Sequence, residues 1–213
     1  MVISEPSTLI TDYLLGGLTA GLGWRLLVHN QRSGQRSIRS WALALLAVAV
    51  SSIAGGTYHG FAPGLSPFAA GALWKTTMLA MGVASLCLTI SAVQASFPPR
   101  LHRRLNAAAF AKFFLYSAWV LAHDDFVYVI IEYGSTLLIV SALLRTRRLQ
   151  GHAGHRGFIS GGIAVSIAAA LVQQSGISLH THFNHNDLMH VVQMGAVWLL
   201  YQGGRRLWDA QEV

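Results

Sequence analysis

Charged residues are scarce in this chain. Only 11% of its 213 residues are Asp, Glu, Lys or Arg, against about 25% in ordinary soluble domains. Hydrophobic residues make up 53%, and the mean hydropathy is +0.47. This composition argues against a soluble domain and predicts an all-α, polytopic membrane protein. Seven transmembrane helices of about 20 residues each would use nearly the whole chain, so we expect a single domain over residues 1–213.

Cysteine and a basic leader are also lacking. The single cysteine, Cys87, lies in an apolar run, which excludes a disulfide framework. Residues 1–6 contain no Lys or Arg, so a cleaved signal peptide is not expected. We predict instead that the first apolar run acts as its own insertion signal.

Apolar runs recur along the whole chain. They predict seven transmembrane helices at residues 9–28, 41–58, 68–93, 106–122, 126–144, 158–174 and 188–202. Several of these runs are rich in Gly and Ala, which lets membrane helices approach one another closely. The expected architecture is a seven-helix bundle.

Apart from Arg25, near the inner end of the first run, arginine is confined to alternate connections between these runs and to the C-terminal tail. The first, third and fifth connections and the C-terminal tail carry Arg32, Arg36 and Arg39, then Arg100, Arg103 and Arg104, then Arg145, Arg147, Arg148 and Arg156, and finally Arg205 and Arg206. The other connections contain no Lys or Arg. The positive-inside rule therefore predicts an N-terminus outside and a C-terminus in the cytoplasm, a pattern that fits a bacterial inner membrane. The net charge of +7 is then a topology signal and does not indicate nucleic-acid binding.

Residues 180–190 form the stretch of the chain richest in metal-binding side chains. They contain four histidines, two asparagines and one aspartate, directly before and within the last apolar run. The predicted topology brings other histidines and carboxylates to the same outer level. The candidate metal ligands are His59, His190, His185 and His123. Neutral imidazole combined with a carboxylate or water suits zinc among the common metals, so we predict a zinc site there.

Three aspartates are candidates for the chemistry at such a site. Asp187 precedes His190 by three residues and shares its helix face, and Asp124 and Asp125 follow His123. We expect one of these carboxylates to accept a proton from a metal-bound water. The alternative is that they only cap helix N-termini, where carboxylates are favourable in any protein.

Lys75, Lys112 and Glu132 fall inside three of the predicted membrane helices. Lys75 and Glu132 lie at similar depths in two of these helices and predict an ion pair. The alternative for Glu132 is an unpaired role in proton transfer. Lys112 lies in the cytoplasmic half of its run and is expected to extend towards the membrane surface.

The chain resembles the superfamily that joins the alkaline ceramidases with the adiponectin/progestin receptors. The resemblance rests on the seven-span pattern, on His59 near the end of the second span and on His190 at the start of the seventh. It implies a zinc ion and hydrolysis of an amide bond in a ceramide-like lipid. The chain departs from the family pattern at three places: Asn186 replaces a His, Gly55 replaces a Ser, and Lys75 takes the place of an Asp near the start of the third span.

The first functional hypothesis is an integral-membrane, zinc-dependent hydrolase acting on a lipid amide or ester. Its zinc would bind His59, His190 and either His185 or His123. The alternative is a non-enzymatic, metal-binding membrane receptor or an accessory subunit of a larger membrane complex. A haem carrier with two facing histidines is less favoured, because the inner half offers no intramembrane His. Membrane lipids are the expected partners, with a membrane protein as a further possibility.

Overall fold

The computed structural model describes residues 3–146, 154–180 and 182–211 of the chain. These residues form seven α-helices, so the predicted all-α fold is confirmed. In chain order the helices are α1 (Pro6–Ser33), α2 (Arg36–Phe61), α3 (Pro67–Ser96), α4 (Pro99–Ala122), α5 (Val127–Thr146), α6 (Gly154–Ser175) and α7 (His185–Gly204). A short 3₁₀ turn, Ala62–Gly64, follows α2. Arg147, Arg148 and Thr181 lie outside the described residues.

The helix ends are set by residues at the borders of the apolar runs. Pro6, Pro67 and Pro99 stand at the first turns of their helices, where the missing amide hydrogen costs nothing. Gly34 ends α1 in the left-handed conformation, with φ of 66°, as is usual at helix C-termini. Most helices therefore extend past the apolar runs that predicted them.

Five helical segments in the described residues are long and apolar enough to cross a membrane. They are Arg36–Gly64, Pro67–Ser96, Pro99–Ala122, Val127–Arg145 and Arg156–Ser175. The helices α1 and α7 are not among them. Both of these helices carry polar side chains that face the interior of the bundle, Asp12 on α1 and His190 on α7.

The helices pack in a defined order. Helix α1 lies against α2 and α7, α3 lies against α2, α4 and α5, and α6 lies against α7, whereas α5 and α6 touch only over a short length. The main apolar core is at one end of the bundle, around Trp41, Leu26 and Leu200. The C-terminal segment closes this end, because the Asp209 carboxylate accepts hydrogen bonds from the backbone N–H groups of Arg36 and Ser37, both at 2.8 Å.

The predicted ion pair between Lys75 and Glu132 is wrong. Lys75 Nζ lies 2.9 Å from Asp124 Oδ1 and also donates to the carbonyl groups of Val120 and His123. Lys75 on α3 therefore faces the connection between α4 and α5 rather than the side of α5.

Glu132 is paired with a different lysine. Its Oε1 lies 2.6 Å from Lys112 Nζ, which also donates to Thr136 Oγ1 at 2.9 Å. Lys112 thus satisfies its charge on the neighbouring helix α5, because a carboxylate within reach is a better partner than a distant membrane surface.

Candidate functional site

Three helices bring Asp12, His59 and His190 to the end of the bundle opposite the main core. Asp12 is on α1, His59 is in the last turn of α2, and His190 is in the second turn of α7. Asp12 is 4% exposed and His190 is 6% exposed. Polar side chains this deeply buried are expensive unless they are paired, so their partners define the site.

His190 is held through both nitrogens of its ring. Its Nε2 lies 3.2 Å from Asp12 Oδ1, and its Nδ1 lies 3.0 Å from Thr11 Oγ1. Both partners come from the same turn of α1. The orientation of the His190 ring is therefore set by two consecutive residues of another helix.

His59 is held by the N-terminal segment. Its Nδ1 lies 3.2 Å from Glu5 Oε2, and the Ser4 hydroxyl donates to the His59 carbonyl. In the described part of the chain, His59 Nε2 has no hydrogen-bond partner. His59 and His190 are close enough to interact electrostatically. A carboxylate on one ring nitrogen and a free second nitrogen are typical of a histidine that can bind a metal.

Asp187 supports the site from behind. It is completely buried, and it forms a capping box with Asn184, accepting from the Asn184 backbone N–H at 2.7 Å. Its other oxygen lies 3.5 Å from Thr11 Oγ1. Asp187 therefore caps α7, as the alternative predicted, and also fixes the threonine that orients His190.

Gly55 and Gly56 on α2 leave the space that Asp12 occupies. A Cβ on Gly56 would lie 2.8 Å from Asp12 Cβ, and one on Gly55 would lie 3.7 Å from Asp12 Oδ2. Small residues let helices approach closely in this way. The sequence resemblance pointed to Gly55 as a missing serine, whereas the structure shows a glycine pair that admits a carboxylate from α1.

We expect Gly56→Ala to destabilise the protein and to move Asp12 away from His190. The added methyl group overpacks the α1–α2 contact, which costs about 1–3 kcal/mol. Thermal unfolding in detergent measures this loss. Gly17→Ala is the matched control, because a Cβ on Gly17 meets nothing within 4 Å and the gain in helix propensity is the same. Equal melting temperatures for the two variants would contradict the predicted close contact.

The cluster stands at the polar end of a cavity of about 550 Å³. Apolar side chains of α2, α3, α5 and α6 form most of its wall, and Asp12, His59 and His190 also line it. This volume lies within the range of about 300–1,000 Å³ that is usual for small-molecule sites. The cavity can therefore take a ligand with a polar group at the cluster and an apolar remainder.

The cavity reaches the side of the bundle between α5 and α6. Ile167 and Leu171 line it and are 43% and 66% exposed, and the two helices make little contact with each other. Next to His59 the wall is aromatic: the ring centroids of Trp74 and Phe126 are 5.8 Å apart. An apolar ligand could enter sideways without crossing the polar cluster.

The other predicted ligands lie away from the cavity. His123 stacks on Trp119 with ring centroids 4.0 Å apart, and its Nδ1 bonds to the Trp119 carbonyl at 2.9 Å. His185 is the first residue of α7, and neither histidine lines the cavity. His180 and His182 lie in the α6–α7 connection, with ring centroids 5.5 Å apart.

Two of the predicted catalytic carboxylates have structural roles. Asp124 binds Lys75, and Asp125 Oδ1 accepts from the Val127 backbone N–H at 2.9 Å at the start of α5. Neither lines the cavity. Asp125 therefore caps a helix, as the alternative predicted. Asp124 instead forms an ion pair at the connection between α4 and α5.

Sequence reasoning missed the contribution of α1. Thr11, Asp12 and Glu5 all contact the histidines, yet none was among the candidate site residues. The available signal was Asp12, a carboxylate a few residues inside an apolar run, because such residues usually have a functional partner. The partner itself depends on how α1 packs against α7.

A metal ion fits these donors in part. Asp12 Oδ1 and His190 Nε2 are 3.2 Å apart, close to the ~3.3 Å that separates two ligands of a tetrahedral zinc ion with bonds of about 2.0 Å. His59 offers a free nitrogen on the wall of the same cavity. No group of three His, Cys, Asp or Glu side chains is already gathered around one point in the part of the chain that the structure describes.

The negative charge of the cluster is not balanced by Lys or Arg among the described residues. Glu5, Asp12 and Asp187 lie around two imidazoles, and the ion pairs in the described residues link none of these carboxylates to a Lys or Arg. Asp12 and Asp187 are buried, and a buried carboxylate without a counter-charge is strongly destabilising. Either a proton or a bound cation must balance them.

Comparison with known proteins identifies a family. Residues 7–209 match a family described as "Family of unknown function (DUF6962)". No curated protein and no solved structure matches the chain.

Proposed function

The chain belongs to this family of unknown function, and from the site itself we propose that it is a zinc-dependent membrane hydrolase that cleaves a lipid amide or ester. The observation that carries the proposal is the pair formed by Asp12 and His190, with ligand atoms 3.2 Å apart at the polar end of an apolar cavity. The resemblance to the alkaline ceramidases and adiponectin/progestin receptors points to the same chemistry.

We propose that all seven helices cross the membrane, with the N-terminus outside and the C-terminus in the cytoplasm. The five most apolar segments meet the length requirement on their own. Helices α1 and α7 pack against other helices of the bundle, so their polar faces can point inward, away from lipid. The arginine pattern supports this orientation, and a bacterial inner membrane is the membrane we propose.

We propose that zinc is held by Asp12, His59 and His190. Bound zinc would polarise a substrate carbonyl and lower the pKa of water to about 7. The chain supplies the orientation: Thr11 holds His190 through Nδ1, and Glu5 holds His59 through Nδ1. Such supporting contacts typically change metal affinity or activity by about 10–100-fold.

Glu5 is the carboxylate best placed to carry a proton out of the site. Its side chain is 44% exposed while its Oε2 lies 3.2 Å from His59, so it connects the cluster with solvent. Asp187 is completely buried and contributes negative charge and support for Thr11 instead. The aromatic wall at Trp74 and Phe126 limits the access of water from the side of the cavity.

The cavity determines the kind of substrate. A lipid entering between α5 and α6 would place its acyl chain along the apolar wall and its carbonyl group at the cluster. A soluble, highly charged substrate would gain nothing from such a wall. We therefore propose a lipid amide or ester with one long apolar chain as the substrate class.

Metal analysis and a hydrolysis screen test the proposal together. Protein purified in detergent without chelators should contain close to one zinc per chain and should hydrolyse ceramides, acyl amides or lysolipids. Removal of the metal with a chelator should abolish turnover, and zinc should restore it. Protein without stoichiometric metal would end the proposal.

A non-enzymatic metal-binding receptor or accessory subunit is the second candidate. Asn186 and Gly55 favour it, because they replace a His and a Ser of the superfamily that the chain resembles. Stoichiometric metal with no turnover of any of the three lipid classes would support this candidate over the hydrolase.

A further inference from the structure

Polar side chains occur at three levels along the wall of the cavity formed by α6 and α7. Nearest the connection between α6 and α7, Gln173 Nε2 lies 3.5 Å from Asn186 Oδ1. His190 stands at the middle level. Furthest from that connection, Gln193 Nε2 donates to Ser166 Oγ at 3.3 Å. All five residues line the cavity, and the chemistry proposed above uses only His190.

The pair formed by Gln193 and Ser166 has unused hydrogen-bonding groups. A side-chain amide offers two donor hydrogens and an acceptor oxygen, and a serine hydroxyl is both donor and acceptor. In the described part of the chain, Gln193 Oε1 and the hydroxyl hydrogen of Ser166 have no partner. Ser166 is 5% exposed. Buried polar groups normally find partners, and here the unused donor and acceptor belong to residues that line the cavity.

Among the described residues, the surroundings of the pair offer no partner for these unused groups. The cavity wall beside them is apolar, formed by residues such as Ile130, Leu137 and Ile167. A purely hydrocarbon ligand would cover the pair without offering any hydrogen bond. The unused groups of Gln193 and Ser166 would then lose contact with water and gain no partner, which is unfavourable. A ligand with a hydroxyl group at this level would satisfy both residues.

We propose that Gln193 and Ser166 form a subsite for a hydroxyl group on the acyl chain of the substrate. The inference rests on the proposed function, because it takes the reacting carbonyl to be at His190. Gln193 lies three residues further along α7, a rise of about 4.5 Å. The hydroxyl group is therefore on a carbon two to four positions from the carbonyl, where it donates to Gln193 Oε1 and accepts from Ser166 Oγ.

The preferred substrates are accordingly lipids with a hydroxylated acyl chain rather than unsubstituted ones. A site built to bond a hydroxyl group discriminates strongly against the analogue that lacks it, because its own polar groups then stay unpaired. The Gln173–Asn186 pair lies on the other side of His190 and contacts the leaving group instead. A variant of Gln173 can therefore serve as the control for variants of Gln193 and Ser166.

Two alcohols that cannot be hydrolysed serve as probes. They are hexadecanol and the same alcohol with a second hydroxyl group on its third carbon. Their affinities for the full-length protein in lipid nanodiscs are measured by displacement of a fluorescent fatty acid. The wild-type protein should bind the diol roughly tenfold more tightly, in line with one or two buried hydrogen bonds. Gln193→Met and Ser166→Ala should each reduce this ratio towards one, while Gln173→Met should preserve it.

The outcomes separate this subsite from the hydrolase itself. Equal affinities of the wild-type protein for both alcohols would overturn the subsite, and so would a preference that survives in Gln193→Met. Failure to bind either alcohol would overturn it as well. None of these results depends on turnover or on bound metal, so metal content and hydrolysis continue to test the proposed function independently.

Discussion

If the proposed zinc site is correct, replacing His190 with alanine is expected to remove the zinc and to lower turnover by at least about a hundredfold. His190 presents Nε2 to Asp12 at 3.2 Å, and it is the only residue of α7 proposed as a ligand. Its loss leaves Asp12 buried without its partner and would leave the proposed zinc without one of its three donors. Elemental analysis and lipid hydrolysis, measured on the same preparation, give the two readouts.

Two further variants make the His190 result specific. His190→Gln keeps a polar side chain next to Asp12, so it should fold while still losing the metal. His123→Ala is the matched control, because His123 stacks on Trp119 outside the cavity and should retain both metal and turnover. Loss of the metal in His123→Ala together with its retention in His190→Ala would contradict the assignment of His190 as a ligand.

Filling the cavity at Gly134 is expected to reduce turnover of long-chain substrates by roughly tenfold or more while the metal stays bound. Gly134 on α5 lines the cavity, and a Cβ there would meet nothing within 4 Å. In Gly134→Trp, the indole would therefore project into free volume that the acyl chain needs. Helix stability should not suffer, since tryptophan has a higher helix propensity than glycine.

The matched control for Gly134→Trp lies on α7. A Cβ on Gly195 also meets nothing within 4 Å, but Gly195 does not line the cavity. Gly195→Trp should keep turnover near the wild-type value. Full activity of Gly134→Trp on long-chain lipids, with the folded protein confirmed by its melting temperature, would mean that the acyl chain does not use this cavity.

The contrast between the variants follows from the layout of the site. His190 variants are expected to lose the proposed zinc, whereas Gly134→Trp is expected to remove space for the proposed substrate and to keep the zinc. A combined assay of metal content and turnover therefore separates the binding of the ion from the binding of the lipid. The proposed hydroxyl subsite at Gln193 and Ser166 would add a third, independent property, the choice between two chains of equal length.

The helices could be predicted from the sequence because their signals are local. Apolar runs, prolines at first turns and Gly34 at the end of α1 depend on neighbouring residues only. The same holds for the Asn184–Asp187 capping box. Histidines 59 and 190 were also predicted as site residues, since both stand at the ends of apolar runs on the side where no arginine occurs, and both line the cavity.

The partners of these side chains could not be predicted, because they depend on which helix faces which. Lys75 and Glu132 lie at similar depths, yet each has a different partner on a different element. His123 was predicted as a metal ligand because it lies at the same level in the membrane as the other histidines. Its ring, however, lies against Trp119. The sequence predicts how deep in the membrane a residue lies along its helix. It does not predict which neighbouring helix that residue faces.

The amino-acid sequence by itself determined that this protein is helical, rich in apolar runs, and equipped with histidines near the ends of two of those runs. Only the tertiary structure decided that α1 completes the site, with Asp12 and Thr11 on His190 and Glu5 on His59. The physical reason is the close approach of α1 to α2 at Gly56 and its packing against α7. Those contacts join residues far apart in the chain, such as Asp12 with Gly56 and Thr11 with His190, and no local pattern in the chain records them.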